Sequence, residues 1–336
     1  MSADGRVVAF TSGASDLVTH DNNGNYDVFV RDLQTGITTL VSRNYAGTGS
    51  GNGYSGSPKL SADGRFLAFS SGAGDLVLND GNATIDLFVR DLQTGITALV
   101  SRNYTGTGSG NSHSYASGAI SADGHVVAFH SDASDLVAND NNGALDLFVR
   151  NLQTGTTTLV SVNQTGTGSG NIGASTKVAL SADGRLVAFQ SYSSDLVAND
   201  NNEAIDVFIR DLQTGTTRLI SVNQSGTGSG IGGGEWSRLS FSADGRFLAF
   251  SSGAGDLVAN DTNFTEDVFV RDLQTGKTTL MSVNLLGKDS GDYNSNEAVL
   301  SADGRFVLFS SRATDLVPTD SALPNNNPNV FVRPVQ

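Results

Sequence analysis

Ser61-Ala62-Asp63-Gly64-Arg65-Phe66-Leu67-Ala68-Phe69, followed by Asp86-Leu87-Phe88-Val89-Arg90-Asp91-Leu92-Gln93-Thr94-Gly95, is one reading of a phrase the chain writes six times. The S-A-D-G element opens at Ser2, Ser61, Ser121, Ser181, Ser242 and Ser301, so the period is 59 to 61 residues. A fixed period of this length marks a repeat architecture, in which each copy is one supersecondary unit stacked on its neighbours. A residue type that returns in every copy then belongs to the unit, and a residue present only once is a candidate for a special site.

Each copy resolves into four short β runs. In the second copy these are Ser57–Leu60, Arg65–Phe69, Leu87–Arg90 and Ile96–Ser101, here strands A to D. Asp-Gly and Thr-Gly turn signals separate A from B and C from D. The apolar residues of strands B and C run continuously (Phe66, Leu67 and Phe69; Leu87, Phe88 and Val89), which fits strands buried on both faces. No segment has helical periodicity. Strand A is missing from the first copy, where only Met1 precedes the turn, and strand D from the last, which ends after Arg333, so twenty-two strands are expected.

The motif S-A-D-G-R-x-x-A-F followed by [VL]-F-V-R-D-L-x-T-G resembles the TolB-like, WD-related propeller repeat, over essentially the whole chain. It departs in having Ala where that family has Pro in the turn. The resemblance implies an all-β, six-bladed β-propeller with four-stranded antiparallel blades and incomplete terminal blades, spanning residues 1–336 as one domain. It also implies a protein that binds other proteins or gates an enzyme domain. Peptidase members carry a separate catalytic domain, for which the repeats leave no room here.

Composition narrows the classes. The 336 residues hold 40 Gly, 5 Pro and 16% charged residues, an ordered and turn-rich composition. The net charge of −14 disfavours nucleic acid and anionic membranes as partners and favours divalent cations. Absence of Cys excludes disulfides and thiolate chemistry. There is no apolar run of membrane-spanning length. Met1 sits directly on the motif, so no signal peptide is expected, and the start within a repeat suggests a chain cut from a longer precursor.

Antiparallel alternation places the A–B and C–D turns at one end of every blade and the long B–C and D–A loops at the other. Loops of that length are held by something or do something. Five B–C loops end in D-x-N-x-x-x-D: Asp21/Asn23/Asp27, Asp80/Asn82/Asp86, Asp140/Asn142/Asp146, Asp200/Asn202/Asp206 and Asp261/Asn263/Asp267. Short oxygen side chains at positions 1, 3 and 7 suit a hard cation, and calcium, which accepts irregular cages, is the expected ligand. A further aspartate five residues upstream (Asp16, Asp75, Asp135, Asp195, Asp256) completes the site or caps a turn. The competing reading is ordinary Asx-turns. Against it stand the recurrent spacing and the crowding of carboxylates with no Lys or Arg inside the loop. In the sixth copy, Asp320 to Asn329 break the spacing, and no site or a weak one is expected there.

The G-T-G-S-G runs, such as Gly47–Gly51, lack the Lys-Ser/Thr and helix of a phosphate loop and read as flexible or turn-forming linkers. Arg31, Arg90, Arg150, Arg210, Arg271 and Arg333 close strand C and are expected to pair with the Asp of S-A-D-G; a ring of arginines binding an anion is the alternative. Four histidines, His20, His113, His125 and His130, are not repeated, and Trp236 is the only tryptophan. No catalytic residues are assigned. The expectation is a calcium-binding scaffold, extracellular or periplasmic, with a protein or glycan partner on the long-loop face. The alternatives are a propeller hydrolase or lyase acting on a glycan or lactone with a metal in the channel, for which Glu297, Glu235 and His113 are candidates, and a lectin with one sugar site per blade.

Overall fold

The computed structural model describes residues 1–233, 238–318 and 328–335. Glu235, Trp236 and Asp320 lie outside them. The described residues contain twenty-two strands and no helix, in six antiparallel sheets. The first sheet is β1 (Val7–Ser12), β2 (Asp27–Asp32) and β3 (Thr38–Leu40); the second is β4 (Ser55–Leu60), β5 (Phe66–Ser71), β6 (Asp86–Asp91) and β7 (Thr97–Leu99). The third is β8 (Ser114–Ile120), β9 (Val126–Ser131), β10 (Asp146–Asn151) and β11 (Thr156–Leu159); the fourth is β12 (Ala174–Leu180), β13 (Leu186–Ser191), β14 (Asp206–Asp211) and β15 (Thr216–Leu219). The fifth is β16 (Ser240–Phe241), β17 (Phe247–Ser252), β18 (Asp267–Asp272) and β19 (Thr278–Leu280); the sixth is β20 (Ser295–Leu300), β21 (Phe306–Ser311) and β22 (Asn329–Pro334). Every sheet is a meander in chain order. The first lacks strand A and the sixth lacks strand D, as the repeat boundaries require.

The sheets group into two compact units: residues 1–162 with 166–169, and residues 163–165 with 170–336. In the first unit, alternate residues of β5 point to different neighbours. Leu67 and Phe69 join Val28, Val30 and Val41 of the first sheet, and Phe66 and Ala68 join Val127 and Phe129 of the third. That is why the strand reads as a continuous apolar run: both faces are covered, and each large side chain so buried contributes about 1.5–3 kcal/mol. Unit 2 repeats the scheme, with Val207 and Ile209 packed on Leu248 and Phe250, and Ala249 and Val270 on Val307 and Phe309. One Phe from strand B stacks on one from strand C in every sheet, as for Phe69 and Phe88 at 5.8 Å. The sixth sheet has an open face: Leu308, Val330 and Val332 are 42%, 68% and 60% exposed, whereas Ala249, Val268 and Val270, which fill the same slots one repeat earlier, are buried.

Strand D is shorter than its sequence suggests. The run Ile96–Ser101 yields only Thr97–Leu99. Val100 still donates to Leu87 O, but the Leu87 N–H is received by the Ser101 hydroxyl, so a side chain takes over the ladder. The A–B turn keeps its Gly for two reasons. Gly64 has φ +75°, and at Gly124 (also φ +75°) a Cβ would stand 2.3 Å from the Phe66 ring of the preceding sheet. Among the described residues no helix is long and apolar enough to cross a membrane.

Candidate metal centre

Strand C opens on an aspartate in all five complete loops, and the loop before it turns in the same way each time. The Asn of D-x-N accepts the backbone N–H two residues on: Asn23 from Asn25, Asn82 from Thr84, Asn142 from Ala144, Asn202 from Ala204 and Asn263 from Thr265. The next residue is left-handed in every loop, Gly24, Ala83, Gly143, Glu203 and Phe264, with φ between 54° and 68°. Three of these five are not glycine, a conformation that is strained for residues with a Cβ. The amide of Asn23, Asn82, Asn202 and Asn263 also donates to the carbonyl of Gly51, Gly110, Gly230 and Gly291. The asparagine is therefore the hinge of an Asx-turn tied to the following D–A loop, and both ends of its amide are engaged.

The aspartates are placed differently. Asp27, Asp86, Asp146, Asp206 and Asp267 are at most 1% exposed. Each receives one hydrogen bond on Oδ1 at 2.5 Å from a serine fifteen residues on, namely Ser42, Ser101, Ser161, Ser221 and Ser282. Their Oδ2 atoms are buried and meet no donor. Opposite stands the first aspartate of the motif. Both carboxylate oxygens of Asp21 and Asp261, and Oδ1 of Asp80 and Asp200, are likewise buried without a donor. In the third loop Asp140 accepts from Ser169 at 3.3 Å.

Burial without donors, and then the facing carboxylate, raise these acids. Asp86, Asp146, Asp206 and Asp267 are pushed up to about 7, desolvation being the largest cause. Asp27, Asp80, Asp140, Asp200 and Asp261 are raised for the same first reason. In the fifth loop the charge of Glu266 adds to the rise at Asp267. Two carboxylates that face each other with so few donors are relieved by a shared proton or by a cation. The motif brings two carboxylates together, and among the described residues no group of three or more His, Cys, Asp or Glu side chains assembles.

The upstream aspartates sit elsewhere. Asp75, Asp135, Asp195 and Asp256 accept on Oδ1 the N–H of Asn52, Asn111, Asn171 and Ile231, in the D–A loop of the preceding repeat. They fasten one repeat to the next; Asp16 is exposed on its loop. The last Gly of the G-T-G-S-G runs serves the same junction: a Cβ on Gly51 would meet Leu76 at 2.7 Å and Ala73 at 2.8 Å. At this glycine the run is a close-approach point between repeats.

At the other end of strand C the expected arginine pairing is overturned. The Asp of S-A-D-G closes its own turn, accepting Ser61 Oγ and the Arg65 N–H at Asp63 in the second copy. Five strand C arginines instead donate to a strand D threonine, as Arg90 does to Thr97 at 2.8 Å, and Arg333 donates to the carbonyls of Val283 and Leu316. The ion pairs join the Arg of S-A-D-G-R to the Asp that ends strand C: Arg6–Asp32, Arg65–Asp91, Arg185–Asp211 and Arg246–Asp272, at 2.6 to 2.7 Å. Register explains it. Phe66 lies opposite Asp91, so Arg65 just before it reaches that carboxylate, while Asp63 is two residues from its own partners. In the third copy both partners change together, to His125 and Asn151.

The single residues fall in ordinary places. His113 accepts the Ile85 N–H, His125 meets the Phe66 ring in a tilted contact, His130 contacts Ser117, and Glu297 is exposed beside Arg238. The strand D serines that hold the aspartates are site residues that motif reading passed over, although their constant distance of fifteen residues from the last Asp is visible in the sequence.

No protein-family model and no curated protein matches the chain. Solved structures do. TolB from Acinetobacter baumannii is 18% identical over 82% of this chain and 51% of that one, with a TM-score of 0.44. Putative TolB from Agrobacterium tumefaciens is 15% identical over 91% and 96%, TM-score 0.44. The β-propeller domain of the Trilobed protease from Pyrococcus furiosus is 12% identical over 84% and 69%, TM-score 0.46. The chain thus spans about half of the Acinetobacter protein. The neighbours are TolB and peptidase propellers, the family that the repeat motif resembles.

Proposed function

We propose that the six sheets are the blades of a six-bladed β-propeller, that five B–C loops each hold a calcium ion, and that calcium orders the long-loop end of the blades as a binding surface. One observation carries this reading: in all five motifs the closing aspartate keeps a buried Oδ2 that meets no protein donor, and in four of them the facing aspartate, Asp21, Asp80, Asp200 or Asp261, adds at least one more such oxygen. Each such group costs several kcal/mol if left charged and dry. A divalent cation removes both that cost and the mutual repulsion. Calcium fits better than magnesium, because the remaining ligands must come from loop carbonyls and water in an irregular cage. In this reading the two aspartates of each motif are the ligands, and Asn23, Asn82, Asn142, Asn202 and Asn263 hold the curl that brings them together.

The role is that of a binding module, with a protein or a glycan docking on the ordered loops. The location that suits it is extracellular or periplasmic, where calcium is plentiful. The hydrolase, lyase and lectin readings rest on no comparable observation.

The test is calorimetric titration of calcium into EDTA-stripped chain, with melting curves alongside. About five equivalents, one for each motif, with proton release and a raised melting temperature, are the expected result. No heat and an unchanged melt would mean that each pair holds a proton, and the calcium reading would fall.

A further inference from the structure

Two repeats depart from the others just after strand D. The segments are Ser42-Arg43-Asn44-Tyr45 and Ser101-Arg102-Asn103-Tyr104, whereas the next three copies carry Val162, Val222 and Val283 in place of the arginine. In the first unit these arginines border a cavity of about 710 Å³, walled by the loop after β3, the B–C loop of the second sheet, and β6 with β7. Arg43, Arg90 and Arg102 line it, and none of its lining residues is acidic. That is an unusual wall for a chain of net charge −14.

The three guanidiniums are poorly served by the protein. The ion pairs among the described residues use other arginines. Arg43 gives one bond to Gly47 O at 2.5 Å and Arg90 one to Thr97 at 2.8 Å, each out of five available donors. Arg102 likewise gives one bond, to Gly106 O, and its Nε is buried and meets no acceptor. Burial, and then the charge of Arg43, depress the Arg90 guanidinium, so the two cations face each other at a cost that an anion would remove. The exposed Tyr45 ring stands on the same wall. The volume is that of a small-molecule site.

We propose that this cavity binds a small organic anion, its carboxylate, sulfate or phosphate group clasped between Arg43 and Arg90 and its body lying against Tyr45. Planar guanidinium forks recognise such oxyanions in two-point fashion. The cavity shares the B–C loop of the second sheet with one calcium motif, but none of the motif's aspartates lines it.

The test uses the intact chain, titrated with sodium sulfate, sodium phosphate and sodium glucuronate at constant ionic strength against chloride. Saturable binding and a saturable rise in melting temperature are expected. Tighter binding of glucuronate than of the inorganic ions would identify a sugar acid as the source, and the reverse order a free inorganic anion. Arg43→Val installs the residue later repeats carry, so it should melt like the parent without anion while weakening binding about tenfold or more. Arg43→Lys, which keeps charge and loses the fork, should fall between them. A rise linear in salt and identical in Arg43→Val would be general salting-out and would overturn the proposal.

Discussion

In four of the six sheets strand C begins and ends on aspartate, and the two ends behave oppositely. At the closing end, Asp32 and Asp211 are pulled down to about 2, first by the arginine that opens strand B and then by backbone N–H groups. Asp91 and Asp272 are held low by the same partners. At the opening end, a few residues away on the same strand, Asp86 and Asp206 are pushed up to about 7 by burial and a facing carboxylate. One end spends its aspartates on turns and ion pairs; the other stores charge that the protein does not neutralise. A carboxylate alone is therefore no sign of a site; a carboxylate denied its donors is.

The sharpest break of this contrast is calcium itself. Free calcium a hundredfold above Kd is expected to stabilise the chain by about 2.7 kcal/mol per occupied site, read as a rise in melting temperature that EDTA reverses. Next is a matched pair of substitutions. Asp91→Ala removes the Arg65 pair and the caps on Gln93 and Thr94, and should cost about 1–2 kcal/mol with or without calcium. Asp86→Asn should leave the metal-free protein as stable as the parent or more so at pH 8, and delete one calcium equivalent in calorimetry. Equal losses in both, independent of calcium, would collapse the distinction between the two ends.

The pH dependence sharpens it further. An acid raised from 3.8 to about 7 on folding contributes stability that is complete below pH 4 and is lost as pH rises through 7. The metal-free protein should therefore lose stability between pH 5 and 8 in urea titrations, and calcium should abolish that loss. The closing aspartates act in the other direction: their contribution is intact across that window and is lost only as pH falls towards 2. The smallest effect is local. Glu203→Gly relieves the left-handed backbone of the fourth loop and should gain up to about 1 kcal/mol, whereas Gly24→Ala in the first loop should lose a similar amount; both are read from denaturation midpoints.

Much of this was legible in the chain. The period of about sixty residues, the four runs per copy and the absent outer strands yielded six sheets with the right strand number. The Asp–Asn spacing located the loops that hold the buried pairs. What could not be read was the division of labour inside the motif. Asx-turn and metal-ligand readings call for the same residues, and the turn took the asparagine while the aspartates kept their open oxygens. Arg31 and Arg90 were equally ambiguous, because which carboxylate an arginine meets depends on register across two strands.

The sequence by itself determined the repeat, the strand pattern and the apolar faces, because these are local and periodic and each copy repeats the same instruction. Only the tertiary structure decided which polar groups found partners. Ser101 reaches Asp86 across a strand pair, Asp75 reaches into the loop of the preceding repeat, and Arg43 faces Arg90 across a cavity. Hydrogen bonds and charges act over a few ångströms in space, so their satisfaction is fixed by packing between elements distant in the chain.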